Sequence, residues 1–371
     1  MHYFFLGNTV DFSLLELRTL YSGEFDLVSK NIASYSGVVD LAELPRLGGT
    51  RKVASEIGRC DVTSLESKIV ELMIDDQGGK NVAVTSYLSD EVQPLSLINI
   101  KKQVGESRRV RFVSMETSEH ELLMLSHQHV NEFNLIQSGD QVIITKTAWI
   151  FDAADWVSRD RDKPYRDIKR GMLPPKVARI MVNLATHGER GITVADPFCG
   201  TGTILSEAMM VGCHSIGSDT NPDAIKGAQS NLAWLAATPG LPATKYEVVL
   251  QDATHFSDEV EHVDCIASEP YMGPLLDERN PSSLEKIKNI ARGLDKLYRG
   301  AFKSFYKALP HGGRVVFSIP SFAVYGRVIE TIQIDTLRSL GYNYIDSVAY
   351  GKPGAAVVRN ITILEKSNVP R

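Results

Sequence analysis

Three acidic residues end successive apolar runs in the second half of the chain: Asp196 in VADPFCGTG, Asp219 in SIGSD and Asp252 in VVLQDA. The first of these runs opens a loop in which Gly200 and Gly202 flank Thr201. Glycine lets a backbone turn sharply and approach a ligand closely. Such a pair also serves helix packing alone, so the acids decide the reading. Asp219 falls 19 residues after Gly200, close to the spacing of roughly 20 at which an acid meets a ribose diol in a dinucleotide fold. Asp252, with Ala253 beside it, ends the following run, where a side chain reaches an adenine amino group. The loop lacks the G-x-G-x-x-G spacing of a pyrophosphate cradle. Asp196 is a poor neighbour for a pyrophosphate and a good partner for an amino-acid ammonium. Together these features point to S-adenosylmethionine rather than NAD.

A fourth apolar run, VDCIA, breaks into Ser268-Glu269-Pro270-Tyr271. A proline just past a strand is ordinary loop punctuation. A carboxylate and a phenol beside it are less ordinary, and they mark the loop as a second candidate for chemistry.

From residue 172 onward, apolar strands and amphipathic helices alternate strictly. The helix PPKVARIMVNLATHG precedes strand ITVAD, helix TILSEAMMVG, strand HSIGSD and helix NPDAIKGAQSNLAWLA. Strands YEVVLQDA and VDCIAS follow, then a long helix from about 283 with Ser282 and Glu285 spaced as a capping box. Strand RVVFSIP, helix VIETIQIDTLRSLG and a closing hairpin, YNYIDSVAYG with AVVRNITILEK, complete the chain. Alternation of this kind predicts an α/β fold with a mostly parallel, doubly wound sheet. The front half reads as α+β. Its helix SLLELRTLYSG carries Ser13 and Glu16 at capping-box spacing, EFDLVSKNIASYS reads as a strand, and helical patterns cover 62–75, 92–104 and 118–130. NVAVTSYL, RRVRFVSM and DQVIITKTAWIF read as strands. The charged segment 152–171 has no clean period and reads as a linker.

DPFCGTG, SD at 218–219, QDAT and SEPY stand in the order of motifs I to IV of the class I S-adenosylmethionine-dependent methyltransferases, and 172–371 resembles that family throughout. RDRDKPYRDIKRGMLPPKVARIMVNLA and the upstream LPRLGGTRKVA resemble a narrower group, the THUMP-domain tRNA guanine-N2 methyltransferases acting at guanosine ten. This resemblance implies a Rossmann-like domain with a seven-stranded sheet and an antiparallel last strand over 172–371. It also implies a ferredoxin-like α+β domain over 1–57 and a THUMP-like RNA-binding domain over 58–151. S-adenosylmethionine would be the cofactor, held by Asp196, Gly200, Thr201, Gly202, Asp219, Asp252 and Ala253. The substrate would be tRNA, methylated on the N2 amino group of a guanine.

SEPY occupies the slot of the D/N-P-P-Y motif of enzymes that methylate exocyclic amino groups. Such a nitrogen is a poor nucleophile because its lone pair is delocalised into the ring. Acceptors that hold its N–H groups aim the lone pair at the methyl donor, and the aromatic ring stacks on the extruded base. Ser268, Glu269, Pro270 and Tyr271 are thus the candidate catalytic residues. Ser268 replaces the usual Asp or Asn and Glu269 replaces a Pro, which leaves open whether Glu269 acts through its carboxylate or only its backbone. An enzyme acting on another base amino group, in rRNA or DNA, and a tRNA-binding protein with a degenerate catalytic domain are the competing readings.

The chain has a net charge of −5, so a nucleic-acid site must be a local patch. Lys101, Lys102, Arg108, Arg109 and Arg111 make one. Residues 159–170 hold six basic and three acidic residues, among them Arg166, Lys169 and Arg170, and make another. Charge runs are also ordinary solvated faces. The cysteines, Cys60, Cys199, Cys213 and Cys265, have no zinc spacing, and no metal is expected. Reduced cysteines and the lack of a membrane-length apolar run suit the cytoplasm.

Overall fold

The computed structural model describes the chain except residues 77, 90, 91, 93, 94, 114–129, 168–171, 275–282, 353 and 368–371. Two compact units make it up, Met1–Val157 and Ser158–Arg371. The helical pattern at 118–130 falls almost wholly outside the described residues.

The first unit is built on one eight-stranded sheet. Its strands are β1 (His2–Leu6), β2 (Asp26–Ser29), β3 (Ile32–Tyr35), β4 (Thr50–Asp61), β5 (Asn81–Tyr87), β6 (Arg111–Phe112), β7 (Asn131–Ser138) and β8 (Gln141–Ile150). They lie in the order β2-β3-β1-β4-β8-β7-β5-β6. The expected boundary at 57/58 falls inside β4, which pairs with β1 at its start and with β8 along its length. EFDLVSKNIASYS is two antiparallel strands, β2 and β3, rather than one.

Ser13 and Glu16 do not form a capping box. The helix Val10–Leu20 already begins at Val10. The fully buried Glu16 carboxylate instead accepts the N–H groups of Gly48 and Gly49, each at 2.8 Å. A Cβ on Gly49 would lie 2.6 Å from the Ser13 hydroxyl, so only glycine lets this loop press onto the helix.

β7 escaped the sequence reading because buried polar residues alternate with its core residues Phe133 and Leu135. Glu132 and Asn134 are fully buried. Lys52 Nζ on β4 donates to Glu132 Oε1 at 2.6 Å and to Asn134 Oδ1 at 2.7 Å, and it sits 4.5 Å from the Phe5 ring centre. Thr85 and Thr147 also donate to Glu132. The period-2 signal is present, but one of its two faces is written in polar groups whose partners lie across four strands.

The second unit carries β9 (Thr193–Asp196), β10 (His214–Asp219), β11 (Tyr246–Leu250), β12 (Cys265–Ser268), β13 (Arg314–Val324), β14 (Arg327–Glu330), β15 (Tyr342–Tyr350) and β16 (Val357–Lys366). Their order is β11-β10-β9-β12-β13-β16-β15, with β14 paired to β13. From β11 across to β13 the strands run parallel, and β16 runs antiparallel to both neighbours. This is the doubly wound α/β arrangement expected from the alternation. Phe302, Phe305, Phe317, Phe322 and Tyr298 anchor its core.

Three local expectations change. The start of the VIETIQIDTLRSLG pattern is strand β14, because Tyr325 (φ 51°) and Gly326 (φ 68°) make a two-residue reversal that returns the chain along β13. The long helix spans Leu284–Ala308 and is capped by Ser283, whose hydroxyl accepts the Lys286 N–H. Ser282 lies outside the described residues. The expected linker 152–171 is partly packed structure. Arg159 Nε donates to Glu207 Oε1 at 2.8 Å, Arg179 pairs with the same carboxylate at 2.6 Å, and the Tyr165 backbone bonds Asn231 in both directions.

Lys52→Met should cost about 3–5 kcal/mol, because it leaves the Glu132 charge buried without its ammonium. The double variant Lys52→Met/Glu132→Leu should recover much of that loss. Urea unfolding checks both; a single variant as stable as wild type would show that the pair carries no such penalty.

Candidate active site at the strand ends

The carboxyl ends of β9, β10 and β12 bring together residues scattered over 196–271. Parallel α/β sheets bind ligands in the crevice beyond these ends. Asp196 closes β9 and is 2% exposed. Its Oδ1 accepts the Phe198 N–H at 3.1 Å and the Ser268 hydroxyl at 2.6 Å. Burial pushes the Asp196 carboxyl up to about 7, and the negative charges of Asp219 and Glu269 push the same way; the two hydrogen bonds oppose them. An arriving cation would reverse that balance by stabilising the carboxylate.

Asp219, at the end of β10, accepts the Gly200 N–H at 3.1 Å on Oδ2 and the Asn221 N–H at 2.8 Å on Oδ1. A carboxylate has about four lone-pair sites, so two remain for a diol. Gly200 (φ 51°) and Gly202 (φ 83°) are both left-handed. A Cβ at Gly200 would meet nothing within 4 Å, so the loop there faces open space. Thr201 is buried, and its carbonyl accepts from Asn231 Nδ2 at 2.9 Å. Asp252 caps a short turn through Oδ1, which accepts both the N–H and the hydroxyl of Thr254 at 2.7 Å. Ala253 beside it is buried.

The donor set suits S-adenosylmethionine. Asp196 offers a buried acid to an ammonium, Asp219 an aligned carboxylate to a ribose, and Asp252 an oxygen, Oδ2, to an amino group. Open space at Gly200 leaves room for the chain between them.

The SEPY loop divides its labour differently from the sequence expectation. Ser268 is fully buried and its hydroxyl turns back to donate to Asp196, away from the strand mouth. Glu269 is the residue with a carboxylate at the strand mouth. Arg359 of β16 holds it, Nε to Oε1 at 2.7 Å. Pro270 is buried, whereas the Tyr271 ring is 58% exposed and its carbonyl accepts the Tyr298 hydroxyl at 2.7 Å. Sequence reasoning missed Arg359 and Tyr298. The one available signal was Glu269 itself, an acid in a slot that ordinarily supplies backbone and therefore one in want of a cation.

The basic candidates separate as well. Lys101, Lys102, Arg109, Arg111 and Arg166 are exposed. Arg108 is turned inward: its guanidinium donates to the carbonyls of Met73, Asp76, Gly78 and Gly79. It therefore staples the end of helix Leu65–Asp75 rather than offering donors to a phosphate. Lys169 and Arg170 lie outside the described residues, as do His120, His127 and His129. Trp156 packs on Phe151, and Tyr165 lies against Gly227. Among the described residues there is no cluster of metal-ligating side chains, and no helix is long and apolar enough to cross a membrane. All four cysteines are free.

The known proteins that this chain resembles in sequence are methyltransferases. Residues 163–335 match the UPF0020 family model, described as an RMKL-like methyltransferase domain. Residues 77–230 match a second model, described as a DNA methylase of the N6/N4 type. The chain is 32% identical over 189 residues to the tRNA (guanine(10)-N2)-dimethyltransferase of Methanothermobacter thermautotrophicus, a match covering 50% of this chain and 49% of the relative. It is 33% identical over 162 residues to the enzyme of the same name from Pyrococcus abyssi, covering 43% and 42%. The chain thus spans about half the length of the curated relatives it matches. Among solved structures, a predicted N6-adenine-specific DNA methylase from Listeria monocytogenes is similar over 97% of this chain and 95% of its own, with a TM-score of 0.45 and 14% identity.

The raised Asp196 carboxyl makes stability depend on pH. In the unfolded chain this group ionises near its ordinary value of 3.8, whereas the folded protein keeps the proton to about 7. Its contribution to stability is therefore lost as pH rises across that window. Asp196→Asn should flatten the decline of the unfolding midpoint between pH 4 and 7. Identical pH slopes for variant and wild type would mean that Asp196 ionises normally.

Proposed function

We propose that the protein is an S-adenosylmethionine-dependent methyltransferase that methylates the N2 amino group of a guanine in tRNA, at position ten. The observation that carries this reading is the direct 2.6 Å hydrogen bond between Ser268 and Asp196. It joins the acid suited to the cofactor's ammonium to the loop suited to a flat amino-bearing base. The curated relatives named for tRNA guanine(10) support the substrate. Met1–Val157 then acts as the RNA-holding front half, with a THUMP-like part, and the work takes place in the cytoplasm.

In this reading Asp196 holds the amino-acid ammonium, Asp219 the ribose and Asp252 the adenine. The cofactor supplies an electrophilic methyl group on a sulfonium. Tyr271 stacks on the extruded guanine. Glu269, fixed by Arg359, accepts an N–H of the exocyclic amino group and stabilises the positive charge that develops on nitrogen. Ser268 acts one step back, holding Asp196 in place.

Incubation with unmodified tRNA and S-adenosylmethionine, followed by nucleoside mass spectrometry, should show N2-methylguanosine. N6-methyladenosine from DNA would transfer the assignment to the class of the second family model. Asp219→Ala should weaken S-adenosylmethionine binding at least tenfold by calorimetry, roughly 1.4 kcal/mol. Unchanged affinity would remove Asp219 from the site. Glu269→Gln should slow single-turnover methylation about as much as Tyr271→Ala while cofactor affinity stays intact. Full activity in Glu269→Gln would restrict that position to its backbone.

A further inference from the structure

The helix Leu284–Ala308 carries a charge pattern that the candidate site does not use. Ile287, Ala291, Leu294, Tyr298, Phe302 and Phe305 bury one face of it. At 3.6 residues per turn, Lys288, Arg292, Lys296, Arg299, Lys303 and Lys307 all fall within an arc of about 100° on the opposite face. All six are exposed. From the first to the last they cover about 28 Å, at 1.5 Å per residue. Glu285 shares the arc, but it sits in the first turn, before the stripe begins.

A merely solvated helix face mixes signs and is laced with i,i+4 pairs. Here Arg299 pairs with Asp295 at 2.8 Å, and among the described residues no other member of the stripe has a carboxylate partner. The chain as a whole has 45 acids against 40 lysines and arginines, so the stripe runs against its composition. Cations repeating every three or four residues stand about 5–6 Å apart. Such a rail suits a linear polyanion, which surrenders several counterions at once on binding.

The apolar chemistry of the helix selects among polyanionic partners. A helix lying on a membrane sets large apolar side chains beside its cations, and a protein interface needs a buried aromatic anchor. No large apolar residue of this helix is exposed. The position fits RNA as well. The Tyr298 hydroxyl, midway along the helix, holds the Tyr271 carbonyl of the target-base loop at 2.7 Å.

We infer that the outer face of helix Leu284–Ala308 binds the sugar–phosphate backbone of the RNA substrate. The inference rests on the tRNA reading above. The test is the full-length variant Lys288→Gln/Arg292→Gln/Lys296→Gln/Lys303→Gln, with folding checked by thermal unfolding and by S-adenosylmethionine affinity. Its affinity for unmodified tRNA should fall at least tenfold at constant salt. Its log-affinity against log-salt slope should be shallower by about 2.8 to 3.6, at roughly 0.7–0.9 for each of four phosphates no longer neutralised. KM for tRNA should rise while kcat at saturating tRNA holds. Wild-type affinity and slope in the variant would overturn the inference and leave the proposed function standing. A wild-type protein that neither binds nor methylates tRNA would overturn the proposed function itself. Stripe-dependent capture by phosphatidylserine vesicles, with tRNA affinity unaffected, would also overturn the inference and assign the face to lipid.

Discussion

A carboxylate with almost no exposed surface has to be held by something, and the way Asp196 is held organises the second unit. Its partner, Ser268, ends a neighbouring strand 72 residues further along the chain. Because β9 and β12 lie side by side and parallel, their last residues are brought to the same level by the sheet and not by any local sequence feature. The parallel sheet turns residues far apart in sequence into one hydrogen-bonded pair. The glycine loop follows directly from one member and the SEPY loop from the other, so both inherit their positions from this contact.

The same logic explains what was legible in the sequence. Period and punctuation revealed the parallel sheet, most of its helices and the acids at its strand ends, because each depends on residues close together. Partnerships between distant residues were not legible. Ser268 resembles a weakened version of the usual acidic residue until its hydroxyl is seen facing Asp196. Glu269 looks incidental until Arg359 arrives from the last strand. Arg108 looks like a phosphate contact until four backbone carbonyls claim it. Glu16 looks like half of a cap until two glycine amides do the same.

Errors of element type had a related origin. β7 failed the usual test for a strand because it is buried on both faces, and Glu132 and Asn134 on one of them interrupt the apolar Phe133 and Leu135 of the other. The Tyr325-Gly326 reversal was hidden because VIETIQIDTLRSLG also fits a helical period, and the left-handed backbone that decides the matter belongs to two residues that lie just upstream, before Arg327. In both places a local pattern was overruled by pairing with a strand elsewhere.

The single sheet of Met1–Val157 also constrains how the chain comes to be folded. β4 finds β1 within about fifty residues, but its other edge is closed by β8, whose residues begin eighty positions beyond the end of β4. During synthesis the β1–β4 assembly therefore stands with a long open edge until β8 has been made. An uncovered edge of unpaired backbone is a template for the wrong strand. The charged residue that this edge must bury, Lys52, has its matching Glu132 on β7, the strand just before β8. A foreign strand closing the edge early would trap an unmatched ammonium, so the buried pair that stabilises the finished sheet also penalises its premature completion.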